Sequence, residues 1–355
     1  MNVHQFATSL NYGDAISDEA LEIRSVLREK GFASEIFVHY YDPLSAGQIK
    51  DYRDYPRYSD PENVVIFHFS IGSPVSKMAF RVPDRKMMIY HNITPHEFFL
   101  DNHRILAREC YRGRLELSLF AHKVALAVGD SDFNRRELEA AGYPETGVLP
   151  ILMNFAKFDG PSDPVVRALF GNGKTTLLFV GRVIPNKKHE DLIKVFALYK
   201  KAFNPDSQLI LAGDFRGQER YLTGLHELIG RLRLSDVHFS GHASFAELLA
   251  YYRAAGVFLS LSEHEGFGVP LLEAFHLKIP VVAYAAGAVE ETMNGGGVLL
   301  RIKDFNGTAA LVDRIVRDGD LRRRLIEGQT RALEKYARAN VSRILLGLVE
   351  RAARA

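Results

Sequence analysis

Two glutamates flank a glycine-containing corner in the stretch SEHEGFGVPLLEAF, residues 262–275. Glu265 follows the apolar run GVFLSL. Glu273 lies eight positions later, one turn inside a predicted helix, because Pro270 is typical of the first residue of a helix. Gly266 and Gly268 let the backbone turn sharply, and the first turn of the helix presents backbone N–H groups. Such a corner suits an anionic ligand. The alternative is an ordinary strand-to-helix connection with an exposed Glu265.

A second corner carries two basic side chains. In FVGRVIPNKKHEDLI, Arg182 and Lys187 lie between an apolar strand pattern that ends at Gly181 and a helix pattern that begins near His189. An arginine binds two oxygens at once and a lysine supplies a point charge, so the pair suits a diphosphate. Two solvated surface bases are the alternative interpretation.

Two loops in the first half of the chain are also candidates. Gly13 and Asp14, in NYGDAISDE, follow the first strand pattern and open a helix. His91, in IYHNITP, comes just beyond another strand. Ligands of open parallel sheets bind beyond the carboxyl ends of the strands, which is where these residues fall. A routine turn and a packed or surface histidine are the respective alternatives.

Two other motifs are weaker than they look. GNGKTT, residues 171–176, ends like a phosphate-binding P-loop, but Ala168 stands where that motif needs glycine, and a strand pattern follows it instead of a helix. DSD, residues 130–132, resembles a metal-binding carboxylate pair but comes directly before a helix pattern, where Asp and Ser are common N-caps. The sequence therefore predicts no metal site.

Composition restricts the class of protein. The chain has 355 residues, 47% of them hydrophobic, with a net charge of +2 and one cysteine. This length supports two domains with sizeable cores, and the balanced charge gives no electrostatic reason to expect nucleic acid as a partner. A single cysteine excludes an intramolecular disulfide, and neither a signal peptide nor a long apolar segment is evident. A cytoplasmic location is expected.

Strand and helix patterns alternate along the whole chain. Short unalternated apolar runs such as NVVIFHF, KMMIY, TLLFVG and QLILAG are typical of buried parallel strands. The segment 154–174, with two prolines and three glycines, is the best linker candidate. We therefore predict an α/β protein with two doubly wound domains facing each other across a cleft, over residues 1–155 and 165–334. Residues 335–355 read as one more helix.

Taken together, GRVIPNKKHEDLI and EHEGFGVPLLEA resemble the retaining glycosyltransferases of family 4. That family has the two-domain GT-B fold and a motif of two acids separated by seven residues, which Glu265 and Glu273 match. NYGDAISDEAL, IYHNITP and SDFNRREL resemble loops of its first domain. The sequence departs from the pattern at Lys188, where many members have glycine. The resemblance implies that the last helix, residues 335–355, crosses back to the N-terminal domain.

The resemblance also implies a role for each candidate. Arg182 and Lys187 would neutralise the departing diphosphate without a metal ion. Glu265 would contact the donor sugar and Glu273 the ribose, while backbone amides would hold phosphate and sugar hydroxyls; these are the amides of Gly266, Phe267 and Gly268. His91 would lie near the anomeric carbon, with Gly13 and Asp14 near the diphosphate or the acceptor.

The implied activity is transfer of a hexose, of mannose or glucose type, from a nucleoside-diphosphate sugar with retention. The C-terminal domain would bind the donor and the N-terminal domain a glycan or lipid-linked acceptor. GDP-mannose is the first expectation for the donor and a UDP-sugar the second, with no other cofactor. A nucleotide-sugar epimerase and a non-catalytic sugar-nucleotide binding protein remain alternatives.

Two features of the N-terminal half bear on the acceptor. HRILARECYRGRLELSLFAHK, residues 103–123, mixes arginines with aliphatic residues, and we hypothesise weak contact with an anionic bilayer at the inner face of the membrane. A helix that faces the core with a solvated basic edge is the alternative. The tyrosines of residues 40–58 could stack on sugar rings or lie in a polar loop.

Overall fold

The computed structural model describes residues 1–11 and 13–355, so Tyr12 of the NYGDAISDE motif lies outside the described residues. The chain divides into two units. The first contains residues 1–96, 105–154 and 335–355, and the second contains residues 97–104 and 155–334. Among the described helices, none combines the length and apolar character needed to cross a membrane.

The first unit is a doubly wound parallel sheet. Its strands are β1 (Val3–Leu10), β2 (Ile36–Tyr41), β3 (Lys50–Asp51), β4 (Val64–Phe69), β5 (Arg85–Tyr90), β6 (Leu126–Gly129) and β7 (Thr146–Val148). The helices are α1 (Ala15–Glu29), α2 (Pro74–Arg81), α3 (Arg104–Phe120, whose first residue falls in the second unit) and α4 (Asp132–Ala140). The strand order β3-β2-β1-β4-β5-β6-β7 reverses direction between β1 and β4, so the loops after these strands flank a switch point.

Apolar residues account for these strands. All six residues of β4 are buried, because helices cover both faces of a parallel sheet. The last helix of the chain (Arg338–Arg354) belongs to this unit. Its buried residues recur at helical spacing and pack with the strands in one core; they are Val341, Leu345, Leu348, Val349 and Ala352. This is the crossing that the resemblance implies.

The second unit repeats the architecture. Its first helices are α5 (Pro164–Phe170), α6 (His189–Ala202), α7 (Glu219–Leu232) and α8 (Phe245–Ala254). They are followed by α9 (Val269–His276), α10 (Val289–Met293), α11 (Phe305–Arg317) and α12 (Gly319–Leu333), so the chain's last helix is α13. The strands are β8 (Thr175–Val180), β9 (Ser207–Ala212), β10 (Val237–Gly241), β11 (Val257–Ser260), β12 (Val281–Tyr284) and β13 (Val298–Leu300). They pair in parallel in the order β10-β9-β8-β11-β12-β13. The predicted pair of doubly wound α/β folds is therefore confirmed.

The tyrosines of residues 40–58 have different environments. Tyr55 is fully buried, and its hydroxyl donates a hydrogen bond to Asp84. Tyr58 packs edge-on against Phe37. Tyr40 and Tyr41, at the carboxyl end of β2, are 60% and 51% exposed. Tyr55 is therefore a core residue and is not available to stack on a sugar ring.

Candidate active site

The candidate residues of the second unit lie on loops at the carboxyl ends of neighbouring strands. The first loop, residues 181–188, follows β8 and carries Arg182 and Lys187. The second, residues 261–268, follows β11 and carries Glu265. Because β8 and β11 are adjacent in the sheet, the two loops meet although 78 residues separate Lys187 from Glu265.

The two loops are joined by backbone and side-chain hydrogen bonds. The amide of Glu263 donates to the carbonyl of Asn186 over 2.8 Å, and the Asn186 side chain donates to the carbonyl of His264 over 3.2 Å. Next to this connection, Lys187 Nζ lies 2.6 Å from Glu265 Oε2. The side chains of Lys187 and Glu265 are only 19% and 12% exposed, so the ion pair is largely shielded from water.

The corner after Glu265 depends on two glycines. Gly268 caps α9 with a φ of 99°, a left-handed conformation that glycine adopts without steric cost. Gly287, in the loop after β12, packs so closely that an added Cβ would lie 2.2 Å from the Glu265 carbonyl oxygen. That carbonyl also accepts a hydrogen bond from the amide of Ala288 over 2.9 Å. The backbone of Glu265 is therefore held in place by the loop that follows β12 in the same unit.

Glu273 has a different environment. It lies in α9 and is 8% exposed, and the hydroxyl of Tyr252 donates a hydrogen bond of 2.5 Å to its Oε2. Tyr252 is fully buried, and its burial and the adjacent Glu273 raise the pKa of the tyrosine well above its usual value. The tyrosine therefore stays a hydrogen-bond donor and fixes the orientation of the Glu273 carboxylate.

The remaining residues of these loops differ in exposure. Arg182 is exposed, whereas Phe267 is 6% exposed and its carbonyl accepts a hydrogen bond of 2.7 Å from Thr292. Gly266 is half-buried. Lys188 has a φ of 53°, a left-handed conformation that glycine adopts without steric cost, and its side chain lies 3.1 Å from Glu263. The turn predicted around Lys187 is thus formed despite the departure at Lys188.

The candidates of the first unit form a separate group. Gly13 has a positive φ of 79°, and Asp14 caps α1 by accepting hydrogen bonds from the backbone and hydroxyl of Ser17. The His91 ring is buried, with a side-chain exposure of 2%, and hydrogen bonds occupy both of its ring nitrogens. Ser131 caps α4, as predicted for DSD.

Asp130, the first residue of DSD, is turned toward the protein interior. Its carboxylate lies 3.1 Å from His91 Nδ1. Burial raises the pKa of Asp130, and the adjacent His91 acts against that increase. In this structure both ring nitrogens of His91 are therefore paired with protein groups.

Sequence reasoning did not identify several residues of these two groups. Asn186, Tyr252 and Gly287 each support Glu265 or Glu273 from another element. In the first unit, Glu19 and His68 approach His91. Each partner is distant in sequence, so no local spacing could have revealed it.

Comparison with known proteins gives a family match within the second unit. The model of the family described as "Glycosyl transferases group 1" matches residues 167–331, which contain both candidate loops. Residues 167–331, in the second unit, therefore match the group 1 glycosyltransferases. Two relatives are the lipopolysaccharide core biosynthesis glycosyltransferase LpsE of Rhizobium meliloti and the O-antigen chain mannosyltransferase B of Escherichia coli. LpsE is 29% identical over 64% of this chain, and the mannosyltransferase is 24% identical over 88%. The matches span 61% and 78% of the lengths of these two relatives.

Solved structures support the fold of the whole chain. Anabaena HepE, in complex with UDP and glucose, matches with a TM-score of 0.75 at 17% identity and covers 99% of both chains. Sucrose-phosphate synthase from Thermosynechococcus elongatus also matches with a TM-score of 0.75, at 16% identity over 99% of this chain and 98% of its own. At such identities the likeness concerns the fold, which is that of GT-B glycosyltransferases.

Proposed function

We propose that this glycosyltransferase transfers a hexose from a nucleoside-diphosphate sugar to a glycan or lipid-linked acceptor, with retention at the anomeric carbon. The observation that carries the proposal is the shielded ion pair of Lys187 and Glu265 at the carboxyl ends of β8 and β11. A cation and a carboxylate held together at a ligand-binding edge match the two chemically different ends of such a donor.

The proposal gives each residue a role that its surroundings support. Lys187 and the exposed Arg182 bind the diphosphate and stabilise the charge that develops on it as the glycosidic bond breaks. Glu265 accepts hydrogen bonds from the sugar, and Glu273, oriented by Tyr252, accepts them from the ribose hydroxyls. The half-buried start of α9 binds phosphate oxygens through its backbone amides. The two basic side chains supply the positive charge, so the proposed reaction needs no divalent metal.

The donor preference is proposed from two kinds of relative. The Escherichia coli relative is named a mannosyltransferase, which favours GDP-mannose. The fold neighbour HepE was solved with UDP and glucose, which makes a UDP-sugar the second choice. Asp14 and Gly13, at the start of α1, are assigned to the acceptor side, together with the exposed Tyr40 and Tyr41.

A binding screen tests the donor site. Thermal unfolding is measured with UDP, GDP, ADP and their sugars, because a ligand that binds the native state raises the melting temperature. We expect one nucleotide series to raise it, and Lys187→Ala to abolish the increase. Lys174→Ala is the matched control, since Lys174 precedes β8, at the amino end of the strand, and lies 2.7 Å from Asp236. A shift that depends on Lys174 instead would contradict the assignment.

A product assay tests the reaction. The preferred donor is incubated alone and with glycan or lipid-linked acceptors, and products are analysed by NMR at the anomeric carbon. Transfer with the donor's anomeric configuration supports the proposal. Isomerisation of the donor alone would indicate an epimerase, binding without turnover a sensor, and an inverted product would refute retention.

We also propose that α3 contacts an anionic bilayer. The core side of this helix is formed mainly by small residues, including Ala107 and Gly113, while Leu115 and Leu119 are 55% and 66% exposed. Several exposed residues on the same helix are basic, including Arg104, Arg108 and Arg112. Leu117 faces the core and is therefore not part of the exposed apolar set. Arginines beside exposed leucines complement anionic headgroups and the acyl boundary.

Flotation with liposomes tests this contact. We expect the protein to float with phosphatidylglycerol-containing vesicles at low salt and to do so less with neutral vesicles. Leu115→Ser combined with Leu119→Ser should reduce flotation, whereas Ile302→Ser, at a 77% exposed site in the second unit, should not. Failure of the wild-type protein to float at low salt would refute the proposal.

A further inference from the structure

A chain of buried polar side chains crosses the first unit beneath the carboxyl ends of its central strands. It begins at Gln5 in β1, continues through His68 in β4 to His91 after β5, and ends at the carboxylates of Asp130 and Glu19. All five side chains are buried. Three of them, Glu19, His68 and His91, place one ring nitrogen or carboxylate oxygen each within 4.8 Å of the others.

The hydrogen bonds determine which nitrogen carries each proton. Gln5 Nε2 donates to the carbonyl of Ala20 over 3.0 Å, so Gln5 Oε1 faces His68 as an acceptor. His68 Nε2 lies 2.9 Å from that oxygen and must donate to it. In a neutral imidazole only one nitrogen is a donor, so His68 Nδ1 accepts a hydrogen bond. Its partner, His91 Nε2 at 2.9 Å, is therefore protonated.

The other nitrogen of His91 faces carboxylates. His91 Nδ1 lies 3.1 Å from Asp130 Oδ2, which accepts a hydrogen bond from it, and 3.7 Å from Glu19 Oε2, too far for a hydrogen bond. Both ring nitrogens of His91 are thus donors, and the ring is a cation. Burial alone would lower the pKa of His91, but Asp130, then Glu19 and Asp14, raise it to about 9. Burial and the charge of His91 keep the pKa of His68 well below its usual value, in agreement with a neutral ring.

We propose that Gln5 and His68 are positioning residues that hold His91 as a doubly protonated cation, which fastens α1 to the strand ends of the first sheet. Glu19 lies one turn into α1, five residues after Asp14, and its other oxygen accepts a hydrogen bond of 3.3 Å from the amide of Leu152. Fixing this helix fixes the loop that we assign to the acceptor side, so the effect on turnover rests on the proposed function. The charge state of His91 does not rest on the proposed function.

The charge state is measured by NMR on protein labelled with ¹⁵N in its histidine rings. His91→Asn assigns the His91 signals by difference. At pH 7 we expect both ring nitrogens of His91 to be protonated. In His68 we expect only Nε2 to be protonated. A single protonated nitrogen on His91 would overturn the proposal, and so would His91 signals that change when metal is removed with EDTA or added as zinc.

Variants at His68 separate charge from packing. In His68→Asn the amide oxygen can replace Nδ1 as the acceptor. In His68→Leu the Nε2 proton of His91 has no hydrogen-bond acceptor at this position. We expect His91 in His68→Leu to lose its second proton about one to two pH units lower than in the wild-type protein, with partial recovery in His68→Asn. The wild-type spectrum tests the charge assignment even if His68→Leu does not fold.

Activity tests the positioning role. His68→Leu should lower kcat about tenfold or more while leaving the Kd for the nucleoside diphosphate within about twofold, because the nucleotide binds the second unit. His68→Asn should recover most of the rate. Equal rates in all three proteins would refute the positioning role, whereas absence of nucleotide binding to the wild-type protein would refute the proposed function and leave the NMR result standing.

Discussion

Glu265→Gln and Glu273→Gln should change nucleotide affinity in opposite directions. In the ligand-free structure Lys187 Nζ is 2.6 Å from Glu265 Oε2, so a diphosphate must share or displace that carboxylate to reach the lysine. Glutamine removes the competing charge. We therefore expect Glu265→Gln to bind the free nucleoside diphosphate more tightly while turnover with the sugar donor falls steeply, because the lost carboxylate acts as positive charge develops on the sugar.

The burial of the pair sets the size of the effect. Exposed ion pairs contribute up to about 1 kcal/mol, and breaking a buried pair costs about 3–5 kcal/mol. The two side chains, at 19% and 12% exposure, lie between these limits. Relief of about 1–2 kcal/mol corresponds to an increase in affinity of roughly five- to thirtyfold.

Glu273→Gln should have the opposite effect. Tyr252 can still donate its hydrogen bond to the amide oxygen, so the fold of α9 is preserved. The hydrogen bond from ribose loses its charged acceptor, which is worth about 1.5–3 kcal/mol, or roughly ten- to a hundredfold in affinity. The free nucleotide and the whole donor should be affected alike, because both contain the ribose.

Calorimetry with the nucleoside diphosphate, beside initial rates with the sugar donor, separates the two roles. Glu263→Gln is the matched control, because Glu263 is a neighbouring acid that pairs with Lys188 and Lys303 rather than Lys187. Its nucleotide affinity should remain within about twofold of the wild-type value. Weaker nucleotide binding by Glu265→Gln would show that Glu265 orients Lys187 toward the phosphate instead of competing with it, and would refute the reasoning.

Three other predictions follow from individual contacts. Lys188→Gly should be more stable than Lys188→Ala by about 1 kcal/mol in urea unfolding, because both lose the ion pair with Glu263 and only alanine keeps the strain of a positive φ; equal stabilities would contradict this. Glu19 and His91 should make the free energy of unfolding fall as pH rises, since burial raises the folded-state pKa of Glu19 to about 8 and, against the effect of burial, the neighbouring carboxylates raise that of His91 to about 9. Buried His68 and His189, whose pKa values are lowered by burial, act in the opposite direction below their ordinary value of 6.5. Each extra proton contributes about 1.4 kcal/mol per pH unit, so the difference in the free energy of unfolding between the wild-type protein and Glu19→Gln should fall between pH 5 and 6.5; a difference that rises with pH would exclude this arrangement. Transfer activity should survive EDTA, and activity restored only by magnesium or manganese would contradict a site built on Arg182 and Lys187.

The sequence predicted the fold and the site loops of the second unit because their signals are local. Unalternated apolar runs identify buried parallel strands, and the spacing of Arg182 from Lys187, or of Glu265 from Glu273, falls within a single loop or corner. The Lys187–Glu265 ion pair could not be predicted in the same way. It depends on β8 and β11 being neighbours in the sheet, which is a property of the topology.

His91 illustrates the same limit more strongly. In sequence it is a lone histidine after a strand, for which packing and ligand binding are both reasonable interpretations. Its neighbours Glu19, His68 and Asp130, and Gln5 behind His68, come from four other places in the chain. The DSD motif was correctly interpreted as a helix cap for Ser131, but that interpretation left Asp130 without a role.

The difference between Glu265 and Glu273 lies in what each carboxylate would have to give up in order to bind a ligand. Glu265 is paired with a lysine side chain that has several rotatable bonds and can move to a phosphate, so its partner can change during the reaction. Glu273 is held by the hydroxyl of Tyr252, a buried ring on another helix, so its carboxylate is oriented before any ligand arrives. A preset acceptor suits the ribose, which takes no part in the chemistry. An acid whose partner can leave suits the sugar, where the charge changes as the bond breaks.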